Sequence, residues 1–109
     1  MRASQAAGVA ALRTGVAVAD ADQAARSVLD EAGWLKYFTT GLGHGVGLEI
    51  HEDPYVGART AGKLATGTTL TMEPGIYLPG RGVSPTRTVS SIRTPRVLTP
   101  LTTELLEIA

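Results

Sequence analysis

Two histidines and one glutamate stand in settings that chemistry could use. His44 lies in Gly43-His44-Gly45-Val46-Gly47-Leu48, where flanking glycines let the backbone bend sharply and a ligand come close. The same pattern also fits a tight turn carrying a surface histidine. His51 opens His51-Glu52-Asp53-Pro54, and an imidazole there is placed to bind a substrate or move a proton. Its plainer reading is a polar cluster at a strand end. Glu73 lies in Thr71-Met72-Glu73-Pro74-Gly75-Ile76-Tyr77, just before a Pro-Gly turn. A carboxylate in that place either faces solvent or points into a site at the sheet's edge.

Several other chemistries are excluded. The chain of 109 residues has no cysteine, so it has no thiol nucleophile, no Cys-ligated zinc and no disulfide. No His follows Glu52, and Pro54 breaks a helix, so the two-histidine helix motif of zinc proteases is absent. Val46 occupies the place of the third glycine in a dinucleotide fingerprint starting at Gly41, and there is no Walker A sequence or nucleophile elbow. Ten basic and ten acidic side chains cancel, leaving no positive field for nucleic acid or an acidic membrane. The stretch from Met1 to Leu12 is too short for a membrane span and too weakly apolar for a signal peptide, so a cytoplasmic protein is the expectation.

The elements that must position these residues follow from periodicity. Apolar content of 43% supports a packed domain, and the length allows one. Ala3, Ala6, Ala7, Ala10 and Ala11 recur at helical spacing and predict a first helix with Gly15 beyond its end. Asp20 and Gln23 have the spacing of a capping box. Ala21, Ala24, Ala25, Val28, Leu29 and Ala32 then form one apolar stripe, and Gly33 suits the helix end. The alanines predict close packing against a neighbour, taken to be a sheet. Val46, Leu48 and Ile50 alternate with Gly47, Glu49 and His51, which predicts a strand stopped by Pro54. Residues Pro54 to Gly67 read as loop, Thr68 to Glu73 as a second strand, and Ile76 to Leu78 as extended chain. Pro79 to Pro95 contains Arg81, Arg87 and Arg93 but no acid, and reads as a polar loop. Val97 to Ile108 recovers apolar character for a short strand or helix.

Taken together, the order and spacing of Gly43-His44-Gly45-Val46-Gly47-Leu48-Glu49-Ile50-His51-Glu52-Asp53-Pro54 and Glu73-Pro74-Gly75-Ile76-Tyr77 resemble metallopeptidase family M24. That family contains Xaa-Pro dipeptidases, aminopeptidase P, creatinase and methionine aminopeptidase. The helix from Asp20 to Gly33, with Ala24-Ala25-Arg26, and the tail Val97-Leu98-Thr99-Pro100 with Glu104-Leu105-Leu106 are also similar to it. The resemblance is closest to the Xaa-Pro branch.

The resemblance implies an α+β fold, the second half of a pita-bread domain with a curved antiparallel sheet packed by helices. Residues 1–109 would be the C-terminal half of that catalytic domain. It implies two divalent ions (manganese, cobalt or zinc) held by two aspartates, one histidine and two glutamates. His44 takes the place of the histidine ligand, Glu73 that of the first glutamate, and His51 that of the catalytic histidine that contacts substrate. The expected activity is hydrolysis of a peptide bond by a metal-bound hydroxide, on a peptide with proline at its second position.

Three of the five expected ligands are missing. The two aspartates would precede Met1, and Asp20 and Asp22 lie on the matched helix start instead. The last glutamate should follow Tyr77, but Gly82-Val83-Ser84-Pro85-Thr86-Arg87-Thr88 keeps only its first two residues in common, and residues 82–96 depart from the family pattern. Metal occupancy and activity of the chain alone are therefore in question. The leading expectation is a peptidase fragment, inactive by itself. The alternatives are a pita-bread module that binds peptides or proteins without catalysis, and one half of a split enzyme completed by an N-terminal half. Homodimerisation is open.

Overall fold

The computed structural model describes residues 1–85, 88–92 and 96–100. Two helices, α1 (Arg2–Ala11) and α2 (Val18–Glu31), precede a short 3-10 turn (Leu35–Tyr37) and the strands. These are β1 (Gly43–Gly45), β2 (Glu52–Val56), β3 (Thr69–Met72), β4 (Gly75–Leu78), β5 (Gly82–Pro85), β6 (Thr88–Ser91) and β7 (Arg96–Val97). Among the described residues one antiparallel sheet has the order β2-β1-β3-β6-β7, and β4 pairs with β5 in a separate hairpin. The class is α+β, as expected.

α2 ends where expected. Gly33 has φ +76°. Its N–H donates to the Asp30 carbonyl and the Trp34 N–H to the Leu29 carbonyl, both at 2.8 Å. This double bond pattern closes a helix on a left-handed residue. The start differs from the capping-box expectation. The helix begins two residues before Asp20, with Ala17 as N-cap and no side-chain cap bond. Gln23 instead bonds the Ser27 hydroxyl, and Asp20 lies in the first turn, where its charge complements the helix dipole. The buried stripe is Val18, Ala21, Asp22, Ala25 and Leu29. Its small residues meet α1 as well as the sheet.

α1 forms as expected but presents the opposite face. Ser4, Gln5 and Gly8 are buried, while Ala3, Ala6 and Ala10 are exposed. Ser4 donates its hydroxyl to the Ala25 carbonyl at 2.9 Å, and Gln5 donates its amide to the Met72 carbonyl at 3.3 Å. A Cβ on Gly8 would stand 3.3–3.4 Å from Met72 Sδ, Ala25 Cβ and Leu42 Cδ2. The absence of a side chain there lets α1 sit against both α2 and β3. Small polar residues with satisfied bonds thus outcompete alanines for the buried face.

Two strand expectations are corrected. Residues 47–51 form a bent loop, not a strand, and Leu48 is fully exposed. Pro54 does not stop a strand; it lies inside β2, which a sheet-edge position tolerates. Thr68 to Glu73 matches β3, and Ile76 to Leu78 lies in β4. Pro79 to Pro95 is not a loop throughout, since β5 pairs with β4 and β6 pairs with β3. Within the tail, β7 is the described strand, and residues 101–109, with the expected element there, lie outside the described residues.

The core lies between the helices and the sheet. Leu12, Ala25, Leu29, Phe38, Leu42, Leu70, Met72 and Ile92 belong to one buried apolar cluster.

Candidate functional site

The site is built on β1 and the end of β3. β1 runs between β2 and β3, so backbone crowds it from both sides. A Cβ on Gly43 would stand 2.0 Å from the Thr71 carbonyl oxygen, and one on Gly45 would stand 2.3 Å from that of Asp53. Real Cβ atoms cannot approach so closely, so these glycines admit neighbouring strands rather than a ligand. The pairing of Gly45 with Leu70 sets His44 opposite Thr71. The His44 N–H donates to Thr71 Oγ1 at 3.1 Å, and the Thr71 hydroxyl donates to the His44 carbonyl at 3.5 Å. The Glu73 N–H donates to the Leu42 carbonyl at 2.6 Å, which fixes the carboxylate beside β1.

The three expected residues come together. His44 Nε2 lies 3.2 Å from Glu73 Oε1. The His44 and His51 ring centroids are 4.4 Å apart, tilted at 60°. All three line one open cleft of about 250 Å³, together with Thr40, Tyr55 and Tyr77. His44 is buried and His51 is exposed. Of the other lining residues, Thr40 and Tyr55 were not singled out by the sequence, because a lone threonine or tyrosine in a turn or strand carries no spacing signal.

The donor atoms allow a test of whether a metal fits. His44 Nδ1 lies 2.9 Å from the Gly45 carbonyl, a geometry that makes Nδ1 the protonated nitrogen. In the neutral imidazole Nε2 is then the acceptor nitrogen. It is buried, and its approach to Glu73 lacks hydrogen-bond geometry. An imidazole nitrogen and a carboxylate oxygen thus converge, as they would in an ion pair or around a shared cation. One nitrogen and one carboxylate suit a borderline divalent ion such as zinc, manganese or cobalt. The backbone carbonyl on Nδ1 is the kind of outer partner that orients a histidine ligand. The fit is partial: among the described residues no three or more His, Asp or Glu side chains are placed to hold a metal ion together. Among them, too, no helix is long and apolar enough to cross a membrane.

Comparison with known proteins identifies the family of the chain. The sequence profile of metallopeptidase family M24 matches residues 1–93. A probable dipeptidase PepE from Mycobacterium bovis is 46% identical over 81 residues, covering 74% of this chain and 22% of that protein. The solved dipeptidase PepE of Mycobacterium ulcerans is 41% identical with a TM-score of 0.82, over 87% of this chain and 26% of that one. The solved Xaa-Pro dipeptidase of Bacillus anthracis is 34% identical with a TM-score of 0.92, over 96% of this chain and 30% of that one. The chain thus spans about a fifth of the length of the curated relatives it matches. With the profile covering most of its length, and with the antiparallel sheet and helices of the pita-bread enzymes, the chain belongs to metallopeptidase family M24.

Proposed function

We propose that this chain is the C-terminal half of the catalytic domain of an Xaa-Pro-type metallo-exopeptidase, inactive by itself. The observation that carries the reading is the convergence of His44 Nε2 and Glu73 Oε1 at 3.2 Å, beneath His51. His44 and Glu73 would hold a divalent ion. Such ions, when bound, polarise a peptide carbonyl as Lewis acids.

The chain's own residues have separable tasks. His44 and Glu73 present their donor atoms from two adjacent strands, so the strand pairing sets their spacing. His51, exposed over the His44 ring, can donate a hydrogen bond to a substrate carbonyl or carboxylate, or relay a proton. Tyr55 and Tyr77 supply flat, half-apolar walls, suited to a compact ring such as proline. Prolidases and an Xaa-Pro dipeptidase among the solved relatives support proline at the second position of the substrate. The partners are then a peptide and the N-terminal half of the domain.

The test is a chimera in which residues 1–81 of this chain replace the matching segment of the mycobacterial dipeptidase, whose remaining sequence would supply the three expected ligands missing here. The expected result is manganese-dependent cleavage of Xaa-Pro dipeptides, lost on His44→Ala and on Glu73→Gln. A folded chimera whose activity is unchanged by both substitutions overturns the assignment. A folded but inactive chimera that still binds peptide favours the non-catalytic binding module.

A further inference from the structure

His51 is carried by a segment with little to hold it. Residues 47–51 form a run of bends between β1 and β2. The two large apolar side chains of the run do not pack: Leu48 is 102% exposed and Ile50 is 76% exposed. Something else must fix the path that ends at His51.

The Glu52 carboxylate is in the right place. Its Oε1 accepts the Glu49 N–H at 2.8 Å. The same group fills the space beside Gly47, where a Cβ would stand 2.3 Å from Oε2 and 2.6 Å from Oε1. One carboxylate therefore occupies the inside of the bend and touches it at its beginning and its middle. Glu52 is itself anchored, because it starts β2 and pairs with Gly45, the neighbour of His44. The brace thus connects the strand that carries His44 to the loop that carries His51. A hydrogen bond from a backbone amide to a charged carboxylate is among the stronger single bonds available to a loop.

We infer that Glu52 is a positioning residue whose carboxylate folds the 47–51 loop and so sets His51 over His44, with Gly47 leaving it room. This rests on the reading of His51 as the substrate-facing histidine, but its test needs neither metal nor substrate.

The chain has two histidines, so its imidazole spectrum contains two Cε1–H signals. In the full chain, the His44–His51 contact should appear as a ring-to-ring nuclear Overhauser effect. Glu52→Ala is expected to abolish that effect and move the His51 signal, with the far-ultraviolet circular dichroism unchanged. Glu52→Gln, which keeps a carbonyl acceptor, is expected to restore most of it. Gly47→Ala keeps the carboxylate but denies it its seat, and is expected to lose the effect as Glu52→Ala does. A ring-to-ring effect of wild-type intensity in either Glu52→Ala or Gly47→Ala overturns the inference. Should both variants unfold, the wild-type chain still decides: a Glu49 amide exchanging with solvent at the rate of an unprotected loop overturns it, and a protected one supports it. An inactive chimera with this geometry intact would sink the peptidase reading alone.

Discussion

His44 can face Glu73 because the residues on either side of it have no side chains. With the Thr71 carbonyl oxygen 2.0 Å from where a Gly43 Cβ would be, Gly43→Ala must push β1 away from β3. Overpacking of this kind costs roughly 1–3 kcal/mol. The expected result is a lower denaturation midpoint in urea together with weaker cobalt binding, because the same displacement separates His44 from Glu73. Thr71 acts on the same residue through its hydroxyl. Thr71→Val leaves the buried His44 N–H without that acceptor, a loss of roughly 1–3 kcal/mol, whereas Thr71→Ser should recover most of the stability. Denaturant titration of the two variants checks this. His44, His51 and Glu73 were legible as candidates from their glycine and proline settings, and the fold brings the three to one cleft. The reason for the glycines was not, because close approach by another strand and close approach by a ligand leave the same trace in a sequence. Thr71 was also hidden, since a threonine in a strand looks ordinary whatever its hydroxyl does.

At the scale of elements, α2 shows what can and cannot be read ahead. Its apolar stripe and terminal glycine were legible because both depend on local spacing. Gly33→Ala puts a Cβ on a residue with φ +76°, which costs roughly 1–2 kcal/mol and should lower the melting temperature without altering the site. Asp22 was not legible as a buried residue. It has no exposed surface, and Arg26 pairs with it while donating to the Phe38 and Thr40 carbonyls. The guanidinium also stands 4.3 Å from the Phe38 ring centroid. Arg26 therefore fastens α2 to the turn that leads into β1. Arg26→Ala strands a buried carboxylate, and removing one partner of such a pair costs roughly 3–5 kcal/mol. The expected outcome is a large loss of stability, read by denaturant titration, and partial recovery in Arg26→Ala with Asp22→Asn. The misreadings share a cause. Alanines gave α1 a false face because they bury as little as they expose. The alternation from Val46 to His51 imitated a strand, but after the Val46 N–H, which donates to the Thr69 carbonyl at 3.0 Å, the run bends away. β5 and β6 were missed because their polar residues are recruited by pairing with β4 and β3, a long-range effect with no local period.

At the scale of the whole molecule, the same sheet that gathers the two candidate ligands, His44 and Glu73, leaves them short of company. Relatives of this chain are more than three times its length, since 74% of it covers 22% of the mycobacterial dipeptidase and 96% of it covers 30% of the Bacillus anthracis enzyme. One imidazole and one carboxylate would supply only a small part of a divalent ion's shell, so a modest affinity is expected. A second ion has no described group of its own. Cobalt or manganese titrated into the purified chain should therefore bind weakly, with the binding abolished by His44→Ala. Under the same conditions no proline should be released from an Xaa-Pro dipeptide. Release that scales with chain concentration and disappears in His44→Ala would show that two ligands suffice. It would also mean that His51 and the cleft supply more of the catalysis than the family's full ligand set suggests, since position and hydrogen bonding would then carry what bridged ions are expected to provide.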